Sequence, residues 1–88
     1  MNEFVVEHGV LKQYSGDEAT VIVPADVREI GYRAFCACPT LQQIVIPAGV
    51  TRIGSQTFMG CVNLTEVALP DGITEIGYSA FERCIQLR

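Results

Sequence analysis

A 23-residue period runs through most of this sequence and limits its possible folds more than any other feature. Six positions carry the same residue type in three successive copies: Pro24/Pro47/Pro70, Ile30/Ile53/Ile76, Gly31/Gly54/Gly77, Phe35/Phe58/Phe81, Cys38/Cys61/Cys84 and Leu41/Leu64/Leu87. Three more columns are always aliphatic: Val21/Ile44/Val67, Val23/Ile46/Leu69 and Val27/Val50/Ile73. A unit this short buries its apolar face only by stacking on copies of itself. The period therefore predicts a solenoid of three stacked coils.

Each copy of the repeat predicts two short extended segments joined by turns. We interpret residues 43–46 as a half-buried strand, in which Gln43 and Val45 point outward and Ile44 and Ile46 point into the core. Pro47 ends that strand because proline has no N–H to donate to a neighbouring strand. Gly54 is expected to adopt a backbone angle that a side chain would oppose. Residues 55–61 are expected to form one or two helical turns.

These elements together predict a mainly β fold with short helical turns. Parallel crossovers are almost always right-handed, so we expect a right-handed solenoid of three 23-residue repeats, over residues 21–43, 44–66 and 67–88. Residues 1–20 predict a capping β-hairpin and loop, with a tight two-residue turn at His8 and Gly9. Such a hairpin would cover one open end of the core. The length of the chain predicts a single domain over residues 1–88.

The repeated motif is similar to that of a known family. Val21-Ile22-Val23-Pro24, followed by Ile30-Gly31, Ala34-Phe35, Cys38 and Leu41, resembles the BspA-like, or treponemal-type, leucine-rich repeat, and the resemblance covers residues 21–88. Thr57 departs from the motif, since it replaces alanine in the second copy. The resemblance implies a non-enzymatic protein–protein interaction module within a bacterial surface or secreted adhesin-like protein. It implies no binding residues of its own.

Composition and charge exclude some partners and leave the compartment open. The net charge of −4 makes an acidic surface that repels phosphate backbones, so we expect no nucleic acid partner. No run reaches the roughly 18 apolar residues that a membrane-spanning helix needs, so we expect no membrane insertion. Residues 1–4 lack the basic start and apolar core of a secretory signal. The localisation is therefore unknown from the residues, whereas the resemblance implies a secreted or cell-surface protein.

The four cysteines predict packing rather than chemistry. A zinc site needs paired ligands such as C-x₂-C, whereas Cys36 and Cys38 are closer than that and the other two lie one per coil. We interpret Cys38, Cys61 and Cys84 as a buried column of small apolar side chains. Cys36 lies in a different column, and a reactive or crosslinking thiol is the alternative there.

No other residues suggest catalysis. His8 is the only histidine, and no cysteine is placed beside it to form a nucleophilic pair. Every glycine falls at a turn or a corner of the repeat, so no phosphate-binding loop is expected. The sequence predicts no catalytic residue, no cofactor and no metal, and the chain is not expected to be an enzyme.

Two surfaces remain as candidates for binding. The candidate protein-binding face consists of outward-pointing strand residues, which are Thr20, Ile22, Gln43, Val45, Glu66 and Ala68; the alternative is that they are ordinary solvent-facing residues. The candidate self-association end is the uncovered side of the last repeat, with Val67, Leu69, Ile73, Ile76, Phe81 and Leu87. A second copy covering that end would give a homodimer, and the chain would then be a small self-associating structural protein. The outward charges Glu29, Arg52 and Glu75 are interpreted as structural.

Overall fold

The structure is a computed structural model that describes residues 3–87, and these residues form eight short strands and no helix. The strands are β1 (Glu3–Glu7), β2 (Val10–Ser15), β3 (Thr20–Ile22), β4 (Glu29–Ile30), β5 (Gln43–Val45), β6 (Arg52–Ile53), β7 (Glu66–Ala68) and β8 (Glu75–Ile76). They make a five-stranded sheet in the order β1-β2-β4-β6-β8 and a three-stranded sheet in the order β3-β5-β7. The prediction of a mainly β fold is confirmed.

Strands one period apart in the sequence pair in parallel. In the three-stranded sheet Ile44 lies between Val21 and Val67. In the larger sheet Ile53 lies between Ile30 and Ile76. We call each turn of chain a coil: the first coil contains β3 and β4, the second contains β5 and β6, and the third contains β7 and β8. Equivalent residues of successive coils therefore stack directly on each other.

An aliphatic and aromatic core fills the inside of this stack. The fully buried side chains include Val21, Ile30, Leu41, Ile44, Val50, Ile53 and Leu64. Phenylalanine rings stack along the core, with centroids 5.3 Å apart between Phe35 and Phe58 and 5.2 Å apart between Phe58 and Phe81. Tyr14 extends this column, since its ring centroid lies 5.0 Å from that of Phe35.

A hairpin of β1 and β2 covers the side of the first coil that faces away from the second. Its two-residue turn has φ 53° at His8 and 80° at Gly9, as expected for the turn type that matches strand twist. Strand β2 pairs in parallel with β4, with Leu11 opposite Ile30. Leu11 and Tyr14 are buried against the core. The hairpin therefore contributes both a strand and side chains to the stack.

The prediction of helical turns over residues 55–61 is wrong, because residues with left-handed backbone angles lie within this segment. Residues 55–60 form successive turns, in which Met59 N–H donates to Gln56 C=O over 3.3 Å. Gln56 has φ 56° and Gly60 has φ 78°, and a right-handed helix tolerates neither value. The same left-handed positions recur in the first coil at Arg33 and Ala37, and in the third coil at Ser79 and Arg83.

The left-handed residues turn N–H groups away from the local chain and toward the next coil. Gln56 N–H donates to Tyr78 C=O over 2.9 Å. Phe58 N–H and Gly60 N–H donate to carbonyls of the third coil over 2.8 Å each. Hydrogen bonds between coils therefore replace the bonds that a helix would make within itself.

Gly54 is required for a different reason from the predicted one. The left-handed glycines among the described residues are Gly9 and Gly60. A Cβ on Gly54 would instead lie 2.9 Å from the carbonyl carbon of Gly31, too close for a real contact. A Cβ on Gly77 would lie 2.6 Å from the carbonyl carbon of Gly54. These glycines let neighbouring coils approach closely at one corner.

Candidate protein-binding surfaces

The three-stranded sheet brings the six predicted face residues together on its outer side. Thr20, Ile22, Gln43, Val45, Glu66 and Ala68 are all exposed, and the residues that alternate with them point into the core. Ile22 is 70% exposed and Val45 is 42% exposed. Because the strands pair in register, these two side chains and Ala68 form one apolar column across the sheet.

A polar column lies beside the apolar one. Thr20 Oγ1 donates to Gln43 Oε1 over 3.3 Å, and Gln43 Nε2 donates to Glu66 Oε1 over 3.2 Å. These bonds orient three exposed side chains in sequence across the sheet. The face thus combines ordered polar groups with apolar groups that nothing in the described chain covers.

The predicted self-association end lies on the third coil, which has a neighbouring coil on one side only within residues 3–87. Leu69 is 44% exposed, whereas its equivalent Ile46 is 4% exposed. Ile76 is 47% exposed, whereas its equivalent Ile53 is 1% exposed. The other predicted members, Val67, Ile73, Phe81 and Leu87, are half-buried and pack against the core.

The third coil also carries unpaired backbone donors. Gln56, Phe58 and Gly60 donate their N–H groups to the third coil. The equivalent N–H groups of Ser79, Phe81 and Arg83 have no acceptor among residues 3–87. The open end therefore offers both apolar surface and hydrogen-bond donors.

Two members of the cysteine column donate hydrogen bonds to the preceding coil. Cys61 Sγ donates to Phe35 C=O over 3.0 Å, and Cys84 Sγ donates to Phe58 C=O over 3.0 Å. Burial raises the pKa of the Cys61 thiol to about 12, and burial also raises the pKa of Cys84. A thiol that stays protonated is a poor nucleophile, so Cys61 and Cys84 have a packing role. The prediction of a buried column is correct for Cys61 alone, because Cys38 and Cys84 are half-buried. Cys36 is also a half-buried free thiol.

Sequence reasoning missed two features of the turn region. Thr57, which departs from the repeat motif, is buried. Its Oγ1 lies 2.9 Å from the Gly31 carbonyl oxygen and 2.7 Å from the Gly54 carbonyl oxygen, so its one O–H is shared between these two acceptors. Tyr32 and Tyr78 are among the most exposed large side chains of residues 3–87. The signal that could have found them is the column directly after the repeated glycine, which reads Tyr, Ser, Tyr.

The described residues offer little for other chemistry. Residues 3–87 contain no group of three or more histidine, cysteine or acidic side chains that could hold a metal ion. Within the same residues no cavity is found, and no helix has the length and apolar character to cross a bilayer. Binding on this part of the chain therefore depends on open surfaces.

Parallel coils stacked around an aliphatic and phenylalanine core are found in leucine-rich repeat proteins. The family model described as "BspA type Leucine rich repeat region (6 copies)" matches residues 14–88. The chain belongs to this BspA-type leucine-rich repeat family, and the resemblance seen in its motif is confirmed. Proteins of this kind typically act as protein-interaction modules.

Two solved structures are similar over nearly the whole chain. The T. pallidum leucine-rich repeat protein is 29% identical with a TM-score of 0.89, and the match covers 98% of this chain and 44% of that one. A leucine-rich cell surface protein from Faecalibacterium prausnitzii A2-165 is 30% identical with a TM-score of 0.84. This match covers 98% of the present chain and 27% of the Faecalibacterium protein. The chain thus spans less than half the length of either structure. A comparison with curated proteins finds no match.

Proposed function

We propose that this chain is a non-enzymatic protein-interaction module that binds through the outer face of β3, β5 and β7. The observation that carries the proposal is the apolar column of Ile22, Val45 and Ala68, exposed and in register beside the ordered polar column. Protein interfaces combine an apolar centre with polar groups around it. Because the side chains of the polar column are already hydrogen-bonded, less conformational entropy is lost when a partner covers them.

We further infer the finer architecture that presents this face. The 23-residue register supports three repeats, over residues 21–43, 44–66 and 67–88, in one domain with residues 1–20 as its cap. Parallel crossovers support a right-handed solenoid. In this arrangement the binding face grows by one strand with each repeat.

A bacterial surface or secreted, adhesin-like setting is the context that we propose. One similar structure is described as a cell surface protein, although this chain covers only 27% of it. The net charge of −4 disfavours nucleic acid, so a protein is the proposed partner.

The face can be tested with charged substitutions at exposed positions. Purified chain would be immobilised and exposed to host or neighbouring-cell surface proteins, and a captured protein would then be purified for affinity measurements. We expect Ile22→Glu to abolish binding, because a charge in an apolar contact is costly to desolvate. Val62→Glu, at an exposed position outside this sheet, is the matched control and should bind like the parent. Equal binding by Ile22→Glu would contradict the proposal.

Self-association through the third coil is a second candidate function, favoured by the exposure of Leu69 and Ile76. A homodimer would cover both side chains with their counterparts. Sedimentation velocity over a range of concentrations should show a dimer in the parent and a monomer in Ile76→Lys. A parent chain that sediments as a monomer at every concentration would contradict this candidate, and so would an Ile76→Lys variant that remains a dimer.

A further inference from the structure

We propose that Tyr32, Ser55 and Tyr78, here named the tyrosine column, bind a proline-rich segment in the polyproline II conformation. One proline would pack against each tyrosine, and the residues between them would pass over Ser55. This surface does not overlap the proposed sheet face. The inference goes beyond the proposed function, because it adds a second surface and names the chemistry of its ligand.

The exposure of the two tyrosines is the first observation. Tyr78 is 81% exposed and Tyr32 is 63% exposed, while Ser55 between them is half-buried. Neither tyrosine belongs to the hydrophobic core. Exposed tyrosines give large, stiff contact surfaces with a polar tip, and for that reason they are common at interfaces.

The spacing of the column is the second observation. Arg33 N–H donates to Ser55 C=O over 3.2 Å, and Gln56 N–H donates to Tyr78 C=O over 2.9 Å, so the three residues lie in register on successive coils. Rings of the phenylalanine column in the same turns are 5.3 Å and 5.2 Å apart from coil to coil. Two coil steps therefore separate the tyrosine backbones by about 10 Å. Polyproline II rises about 3.1 Å per residue, so prolines three residues apart are separated by about 9.3 Å, within about 1 Å of that distance.

The backbone beneath the column is held at a fixed separation. Each column residue directly follows a repeated glycine, and a Cβ on Gly54 or Gly77 would clash with the backbone of the preceding coil. At the same positions Gly54 N–H donates to Ile30 C=O and Gly77 N–H donates to Ile53 C=O, over 2.7 Å each, and these bonds join successive coils. The backbones that carry Tyr32 and Tyr78 are therefore held near their spacing before any ligand arrives, which reduces the backbone share of the entropic cost of binding.

A cation beside the column indicates the charge of the ligand. The Arg33 Cζ lies 5.6 Å from the centre of the Tyr32 ring, and Arg33 Nε donates to Gln56 Oε1 over 2.8 Å. No carboxylate of residues 3–87 forms an ion pair with Arg33. Its remaining N–H groups can donate to a carboxylate. The expected ligand therefore carries an acidic residue next to the proline that contacts Tyr32.

Synthetic peptides of defined proline spacing test the inference on the full chain. The probe has two prolines separated by two alanines, with aspartate before the first, and the controls have one or three alanines between the prolines. NMR titration should show shifts of the Tyr32 and Tyr78 ring signals and an affinity for the probe at least about ten-fold above that for either control. Equal affinity for all three peptides would overturn the proposal.

Single substitutions locate the site. Tyr32→Ala and Tyr78→Ala should each weaken probe binding about ten-fold, and Arg33→Gln should weaken binding of the aspartate probe but not of its alanine version. Ile85→Ala, at another highly exposed position, is the matched control and should bind the probe like the parent. Undiminished binding by both tyrosine variants would overturn the proposal. So would shifts of the two rings with a soluble oligosaccharide in place of the peptide.

One further variant separates this inference from the proposed function. Ile22→Glu alters the sheet face and should bind the proline probe like the parent, because Ile22 is not part of the tyrosine column. Loss of probe binding in that variant, with its fold intact by circular dichroism, would place the peptide on the sheet face and overturn the inference.

Discussion

The two ends of the coil stack contain the same kinds of residue in very different surroundings. At the hairpin end, Val21 and Ile30 of the first coil are fully buried. At the other end, their equivalents in the third coil are less covered: Val67 is half-buried and Ile76 is 47% exposed. Since the residues are alike, the difference comes from the neighbour. In a repeat protein, burial is set by what lies on each side of a coil.

The hairpin succeeds as a neighbour because it reproduces the bonds of a coil. Gly31 N–H donates to Leu11 C=O over 2.8 Å, as Gly54 N–H donates to Ile30 C=O over 2.7 Å. Tyr14 N–H donates to Ala34 C=O over 3.0 Å, and its ring extends the phenylalanine column. The third coil has no such neighbour within residues 3–87. Loss of a core contact should therefore lower stability more in the second coil than in the third.

The largest expected effect is at the phenylalanine column. Phe58→Ala should lower the free energy of unfolding by about 3–5 kcal/mol, because Phe58 is buried between two rings. Phe81→Ala should cost clearly less, because Phe81 is half-buried and stacks on one ring alone. Urea unfolding followed by circular dichroism measures both. If Phe58→Ala does not fold, Phe58→Leu and Phe81→Leu provide the same comparison. Equal losses at the two positions would show that the third coil is as well covered as the second.

A smaller effect is expected at the glycine corner. Gly54→Ala should lower the free energy of unfolding by about 1–3 kcal/mol, because the new Cβ would clash with the backbone of the first coil. The third coil on the other side prevents the second coil from moving away to relieve the clash. Gly77→Ala should cost less, because the third coil can shift outward to relieve the clash. In Gly72→Ala, the new Cβ would have its nearest contact at 3.8 Å, so this control should change stability by less than about 0.5 kcal/mol. A Gly77→Ala cost equal to that of Gly54→Ala would contradict the idea that the end coil moves more freely.

The smallest effect is expected at the thiols and appears only in alkali. The pKa of Cys61 rises from 9.0 to about 12 in the folded chain, so the folded state binds this proton more tightly than the unfolded state. The contribution of the Cys61 thiol to the free energy of unfolding is therefore fully present below about pH 9, and it is lost as the pH rises from 9 toward 12. Urea midpoints measured across that range should fall less steeply in Cys61→Ala than in the parent.

The matched control is at the open end. Burial raises the pKa of Cys84 too, but this thiol is only half-buried. Cys84→Ala should therefore flatten the alkaline decline less than Cys61→Ala does. A larger change from Cys84→Ala would mean that the end coil is better shielded from water than its exposed neighbours suggest.

Much of the fold could be predicted because the 23-residue period of the sequence indicates which residues pair between neighbouring strands. Val21 pairs with Ile44 and Ile30 pairs with Ile53, as the period indicates. The turn region could not be predicted as well, because Arg33, Ala37 and Gln56 adopt left-handed angles without being glycine. Such angles carry little signal in a single sequence, since they are stabilised by bonds to the next coil. Handedness, the number of repeats and the domain boundaries stay predictions.

The candidate surfaces were predictable to different degrees. The alternation of residues in β3 and β5 placed Ile22 and Val45 on the outer face of the sheet, where the structure has them. The tyrosine column was missed because alternation does not apply in turns. The thiol bond of Cys61 was missed for a related reason, since its acceptor, Phe35 C=O, lies 26 residues earlier in the chain.

The equal spacing of the contacts between coils has a consequence for how the length of such a chain can change. Thr20 with Gln43, Arg33 with Gln56 and Arg52 with Glu75 are all separated by 23 residues. One residue inserted within the second coil would add one residue to every separation that spans the insertion, so those side chains would no longer stack in register. A duplicated segment of 23 residues would regenerate all the same contacts. Inheritance of such a gene therefore favours gain or loss of whole coils, and each gain would add one new row of surface side chains that is free to diverge.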